Sequence, residues 1–168
     1  SSTQYLLGTD HLGRDLLSRL IVGGRLSILI GLSITALSTV ISTLIGGTSG
    51  FIGGKFDIIV QRVVDAWIVF PGLLLLLTIM SIVGPGIPQI ILVLGISGGI
   101  GGSRVIRGAV IAIKENDYFL AAEATGNRRV RTLIRHVVPN IMPVIIIVFS
   151  ISLGGHILSL ASLSFLGF

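Results

Sequence analysis

Cysteine is absent from this chain of 168 residues, and charge is scarce, with Asp, Glu, Lys and Arg making up 11% of it. The first absence excludes disulfides and thiolate metal sites, although it does not identify a compartment. The second excludes an ordinary soluble domain, because 52% of the residues are hydrophobic and the mean hydropathy is +1.01. Catalytic patterns are missing too: there is no HExxH, no GxSxG, no P-loop, and no pair of carboxylates inside an apolar run. His11, His136 and His156 lie far apart, and none has a second histidine three or four residues away. "GISGGIGG" (Gly95 to Gly102) superficially suggests a nucleotide loop, but it lacks the Lys-Ser/Thr pair and a preceding strand. The chain therefore reads as no enzyme, with no cofactor, no metal and no nucleic-acid partner.

What is present is long apolar sequence. No charged side chain occurs from Leu26 to Gly54, from Ala66 to Ser103, or from His136 to the end. A membrane-spanning helix needs roughly 20 apolar residues, so each run holds at least one span. "VGPGIP" (Val83 to Pro88) interrupts the middle run with two glycines and two prolines, which end one helix and begin another. The expected fold is all-α: a polytopic transmembrane helical bundle with four spans, at about 26–48, 66–83, 88–110 and 139–161.

"SSTQYLLGTD" has no charged n-region followed by an apolar h-region and so is not a signal peptide. "SLSFLGF" ends the chain without a polar tail. Both ends read as cut, so a fragment of a larger membrane domain is expected.

Of the twelve Lys and Arg, seven lie between Arg104 and Arg135, which places that connection in the cytoplasm by the positive-inside rule. Counting back puts residues 1–25 outside, the 50–62 connection inside and the "GPGIP" turn outside. Arg14, Arg19 and Arg25 then lie on the outer side, partly offset by Asp10 and Asp15. Asp57 is placed to cap a helix, and Arg62 and Asp65, three apart, share a face and can pair. Pro71 would kink the helix or mark the true start of its membrane part.

Two stripes of small residues stand out. Ser27, Gly31, Thr35, Thr39 and Thr43 recur every four residues in the first span. In the third, Gly95 with Gly99, and Gly98 with Gly102, have the small-xxx-small spacing that lets helices approach closely. Helix packing is the reading favoured for both, over the lining of a water-filled path. His156, inside the last run, is expected to be a neutral histidine bonded to a neighbouring helix.

One segment differs from the rest. "AAEATGNRRVRTLIRHVVPNIMP" (residues 121 to 143) carries four arginines, a glycine and two prolines between apolar runs. Gly126 supplies a helix-ending residue and Asn127 a cap for a second helix. In that second helix Val130, Leu133, Ile134 and Val137 share one face, with Arg128, Arg131 and Arg135 opposite. Such a helix lies at the inner membrane surface, where its arginines can meet anionic lipid.

Ala121-Ala122, Gly126 four residues later and Pro139 thirteen beyond it resemble the EAA signature of ABC-importer permeases. "LGTDHLGRDLLSRLIVGGRLS", "RVVDAWIVFPGLLL", "RHVVPNIMP" and "ASLSFLG" are similar, in the same order, to the peptide/nickel type of that family. The leading glutamate of the signature is Leu120 here, with Glu123 one turn on, and a glutamate often seen before "ASLSFLG" is Leu160. The resemblance implies a single transmembrane permease domain over 1–168 that lacks the family's first and last helices. It also implies a cytoplasmic coupling loop at 111–138 whose Ala121, Ala122, Glu123, Gly126 and Pro139 contribute to docking on an ATPase. The implied partners are a second permease subunit, cytoplasmic ABC ATPase subunits and a periplasmic or lipid-anchored substrate-binding protein, in a prokaryotic inner membrane. The implied cargo is peptide or nickel. Two other classes stand beside this one: an ion channel or secondary transporter without a docking loop, and a membrane enzyme or haem-binding subunit using His136 and His156.

Overall fold

The computed structural model describes residues 7–9, 13–84, 86–116, 133 and 137–165. Five helices account for nearly all of them: α1 (Leu16–Ile52), α2 (Gly54–Ile68), α3 (Gly72–Val83), α4 (Ile87–Lys114) and α5 (Val138–Phe165). There is no named strand among the described residues, only one isolated bridge between Thr9 and Asp15. The all-α expectation holds.

Three of the helices, α1, α4 and α5, are long and apolar enough to cross a membrane. The run expected as a single span at 66–83 is divided at Pro71, which has an extended ψ of 120° and stands before α3. Proline has no N–H to donate and its ring crowds the preceding turn, so α2 stops and α3 starts afresh. With 12 residues, α3 rises only about 18 Å, less than the hydrocarbon thickness. The reading of Pro71 as the true start of the membrane helix agrees with this.

The chain nonetheless returns across the bundle between α1 and α4. Gly95 faces Leu37, Gly99 faces Ile41, and Gly46 faces Ser103 and Arg107, so residue numbers rise together along the two helices. They are parallel neighbours, and α2 and α3 in succession supply the return. At the corner from α1 to α2, Gly53 and Gly54 have φ of 69° and 58°, which only glycine adopts without strain. α5 runs antiparallel to α1, with Gly31 against Ile157.

Two apolar clusters hold the ends. Ile34, Leu76, Met80, Leu94 and Leu163 pack near the start of α4. Ile106, Val110, Val137 and Ile141 pack near its end, with Leu133 against them. Of the apolar face expected in the basic segment, Leu133 and Val137 are described; Val137 is a fully buried member of this cluster and Leu133 packs against it. Val130 and Ile134 lie outside the described residues, as do Ala121, Ala122, Glu123, Gly126, Arg128, Arg131 and Arg135.

Candidate functional site

The α1–α4 seam is built from residues without bulk. A Cβ on Gly99 would lie 2.6 Å from the Ile41 Cβ and 2.9 Å from the Ser38 carbonyl oxygen; on Gly95 it would lie 2.6 Å from the Leu37 Cδ2. On Gly98 it would lie 2.9 Å from His156 Nε2, and on Gly31 2.8 Å from Ile157 Cγ1. Gly102 is looser, at 3.4 Å from the Ser42 Cβ, an ordinary contact. The tightest position lies on the facing helix: a Cβ on Gly46 would collide with the Ser103 carbonyl oxygen and sit 2.9 Å from the Arg107 nitrogen. Gly50 follows one turn on, 3.0 Å from the Arg107 carbonyl. Sequence reading missed Gly46 and Gly50, although they too are four apart.

The stripe expected on α1 holds over its first half only. Gly31 and Thr35 are buried, but the buried line then passes through Ser38, Ser42, Gly46 and Ser49 rather than Thr39 and Thr43. Four residues advance an α-helix by slightly more than one turn, so a strict four-residue stripe drifts off a straight seam. Thr35 Oγ1 lies 3.0 Å from His156 Nδ1. The lone histidine of the last run thus bonds a neighbouring helix, and no group of three metal-ligating side chains occurs among the described residues.

At the end of the bundle where α4 leads into the basic connection, charged groups replace hydroxyls. Asp57 does not cap α2, as the sequence reading had it; its N-cap is Gly53, with no side-chain cap bond. The carboxylate instead turns inward, where Arg107 Nε donates to Oδ1 at 2.6 Å and Arg107 Nη2 to Oδ2 at 2.5 Å. The Ser49 hydroxyl also donates to it, and Gln61 Nε2 donates to the Ser49 Oγ at 3.2 Å. Lys114 Nζ donates to the Phe51 carbonyl at 2.8 Å. Two cations of α4 therefore clasp the α1–α2 corner. Capping was the obvious role for a carboxylate one turn into a helix. The alternative needed Arg107, fifty residues away, and no local pattern announces that.

The Arg107 guanidinium holds the Asp57 carboxyl below the usual carboxylate range, outweighing the desolvation that pushes it up; Ser49 adds to the lowering. With a depressed folded-state pKa, the pair's contribution is complete above the ordinary carboxylate range and is lost as pH falls through the lower, folded value. Asp57→Asn should cost about 2–3 kcal/mol, under the range for full burial because the Arg107 side chain is 31% exposed. Thermal unfolding of the full-length protein in detergent measures it. Adding Arg107→Gln to that variant should restore most of the loss, whereas additive losses would show that the two groups do not act as a pair.

Further along α2, Arg62 Nη1 lies 3.8 Å from Asp65, the pair expected from the sequence. Asp65 also accepts from Arg104 Nη2, a closer partner. Deeper still, Trp67 Nε1 donates to the Ser97 Oγ at 3.2 Å.

A helical bundle with a glycine seam, a broken return span and a basic connection between two of its helices is the frame of a polytopic membrane protein. Residues 42–168 match the family described as binding-protein-dependent transport system inner membrane component, and the chain belongs to that family. Over 99% of its length it is similar to the oligopeptide transport system permease protein OppC of Bacillus subtilis, 37% identical across 54% of that protein. The dipeptide transport system permease protein DppC of the same organism is 34% identical over 99% of this chain and 52% of its own length. The nickel transport system permease protein NikC of Escherichia coli K12 is 32% identical over 98% of this chain and 59% of its own. The chain thus spans about half the length of the curated relatives it matches.

Proposed function

We propose that the chain is part of a permease subunit of an ABC importer for peptides or nickel. With a second permease subunit it forms the translocation path, receives cargo from a substrate-binding protein, and is driven by separate ATPase subunits. The connection at 111–138 couples the two, through Ala121, Ala122, Glu123, Gly126 and Pro139. One observation supports this beyond family likeness: the connection leaves α4 and re-enters α5 at one end, where Val137 shares a buried cluster with Ile106, Val110 and Ile141, and Leu133 packs against that cluster. A load on the connection is delivered to α4, and through Arg107 and Lys114 to the α1–α2 corner.

The test is the full-length protein, affinity-purified from its own host. An ATPase subunit should co-purify, and its hydrolysis should rise with binding protein and cargo; a purified permease without any ATPase would contradict the reading. Topology is checked independently. The chain has no cysteine, so a cysteine at Asn127 should resist an impermeant thiol reagent added to intact cells and react once the membrane is opened. Ready labelling from outside would reverse the orientation.

A further inference from the structure

Between α2 and α4, beside the clasp, lies a cavity of about 380 Å³ lined by Ile58, Gln61, Arg62, Asp65, Arg104 and Arg107. Its depth follows from the packing already described. Gly46 faces Ser103, so Arg104 and Arg107 stand at the level where α1's stretch from Ser27 ends. From Ser27 to Gly46 α1 rises about 30 Å, the thickness of the hydrocarbon core. With the first span beginning near Leu26, as expected from the sequence, the cleft falls at headgroup level on the side where the positive residues collect.

Its charge is unbalanced. Arg107 is matched by Asp57, but Arg62 and Arg104 share the single carboxylate of Asp65. One positive charge is left over, and the Arg62 side chain is 80% exposed. On the membrane side of the arginines, Val63 beside Arg62 and Val69 about two turns deeper, just past the end of α2, are exposed and form an apolar flank beneath the cationic rim. A guanidinium fork matches phosphate oxygens in shape and charge, and basic pockets between membrane helices on the cytoplasmic side hold anionic headgroups.

We propose that this cleft is a binding site for an anionic phospholipid of the inner leaflet. The phosphodiester, with one negative charge, lies between Arg62 and Arg104, and Val63 and Val69 meet the acyl chains. The site needs only the orientation of this end of the bundle and is independent of coupling to an ATPase.

Native mass spectrometry of the full-length permease, exchanged into equal phosphatidylglycerol and phosphatidylcholine, tests it. Arg62→Gln and Arg104→Gln should each lower the ratio of retained phosphatidylglycerol to phosphatidylcholine about fivefold, the effect of one basic residue near an anionic surface. Asp65→Asn removes a competing carboxylate and should raise the ratio, an opposite sign that damage to the fold would not produce. Raised salt should weaken retention in the native protein. An unchanged ratio in all three variants, or a ratio that falls in Asp65→Asn as well, overturns the proposal. So does displacement of phosphatidylglycerol by millimolar inorganic phosphate, which would make the cleft a site for free anions.

Discussion

Gly46→Leu is expected to prevent α1 and α4 from packing, and so to abolish recovery of a folded, monodisperse protein from the membrane. The atoms a side chain would meet there are the Ser103 carbonyl oxygen and the Arg107 backbone nitrogen. Backbone inside a helix cannot rotate aside as a side chain does, so the axes themselves would have to part. The cost exceeds the roughly 1–3 kcal/mol of ordinary overpacking, because separating the axes also pulls Arg107 from Asp57. Gly99→Leu should follow closely, since it meets the Ser38 carbonyl as well as Ile41. Gly102→Ala, at ordinary contact distance, and Gly154→Ala, with nothing within 4 Å, should behave like the native protein. Size-exclusion profiles and thermal stability in detergent read the series. If all four variants behave alike, the seam does not hold these helices together.

Gly126→Val should have an equally large effect of another kind: normal insertion, but no cargo-stimulated ATP hydrolysis and no transport. On the proposed coupling, the chain reverses at Gly126 in a left-handed conformation, where a Cβ costs about 1–2 kcal/mol. A β-branched residue also resists it most. Ala122→Arg should fail in the same way, by overfilling the groove into which a small residue fits. If the basic segment serves only to lie on lipid, the pattern inverts. Both variants would then transport, while neutralising Arg128, Arg131 and Arg135 would disrupt insertion. Uptake and ATPase activity in reconstituted complexes separate the outcomes, and undiminished coupling in Gly126→Val would rule out the mechanical role.

The helices were legible in the sequence because charge-free runs of sufficient length leave a chain few alternatives in a membrane. The interruption at Pro71 was legible for the same local reason, since proline acts on its own helix. His156 bonded to a neighbouring helix was also foreseeable, because an imidazole in an apolar span needs a partner; that the partner is Thr35 was not. The failures share a cause. Asp57 was read with its near neighbours, whereas its partners, Ser49 and Arg107, lie on two other helices. Asp65 does pair with Arg62, as expected, but its closer partner, Arg104 on α4, could not be read locally. The four-residue glycine spacing marked one wall of the seam, but the closest approach falls on the other. Partner choice across helices depends on their relative rotation and depth, which no single helix encodes.

The indole of Trp67, the one tryptophan in the chain, bonds α4 just before the return span breaks. Any tilt of α2 away from α4 exchanges the Ser97 hydroxyl for water or lipid around that ring. Within this chain, then, a fluorophore stands at the joint itself, and a shift of its emission maximum would register any parting of α2 from α4.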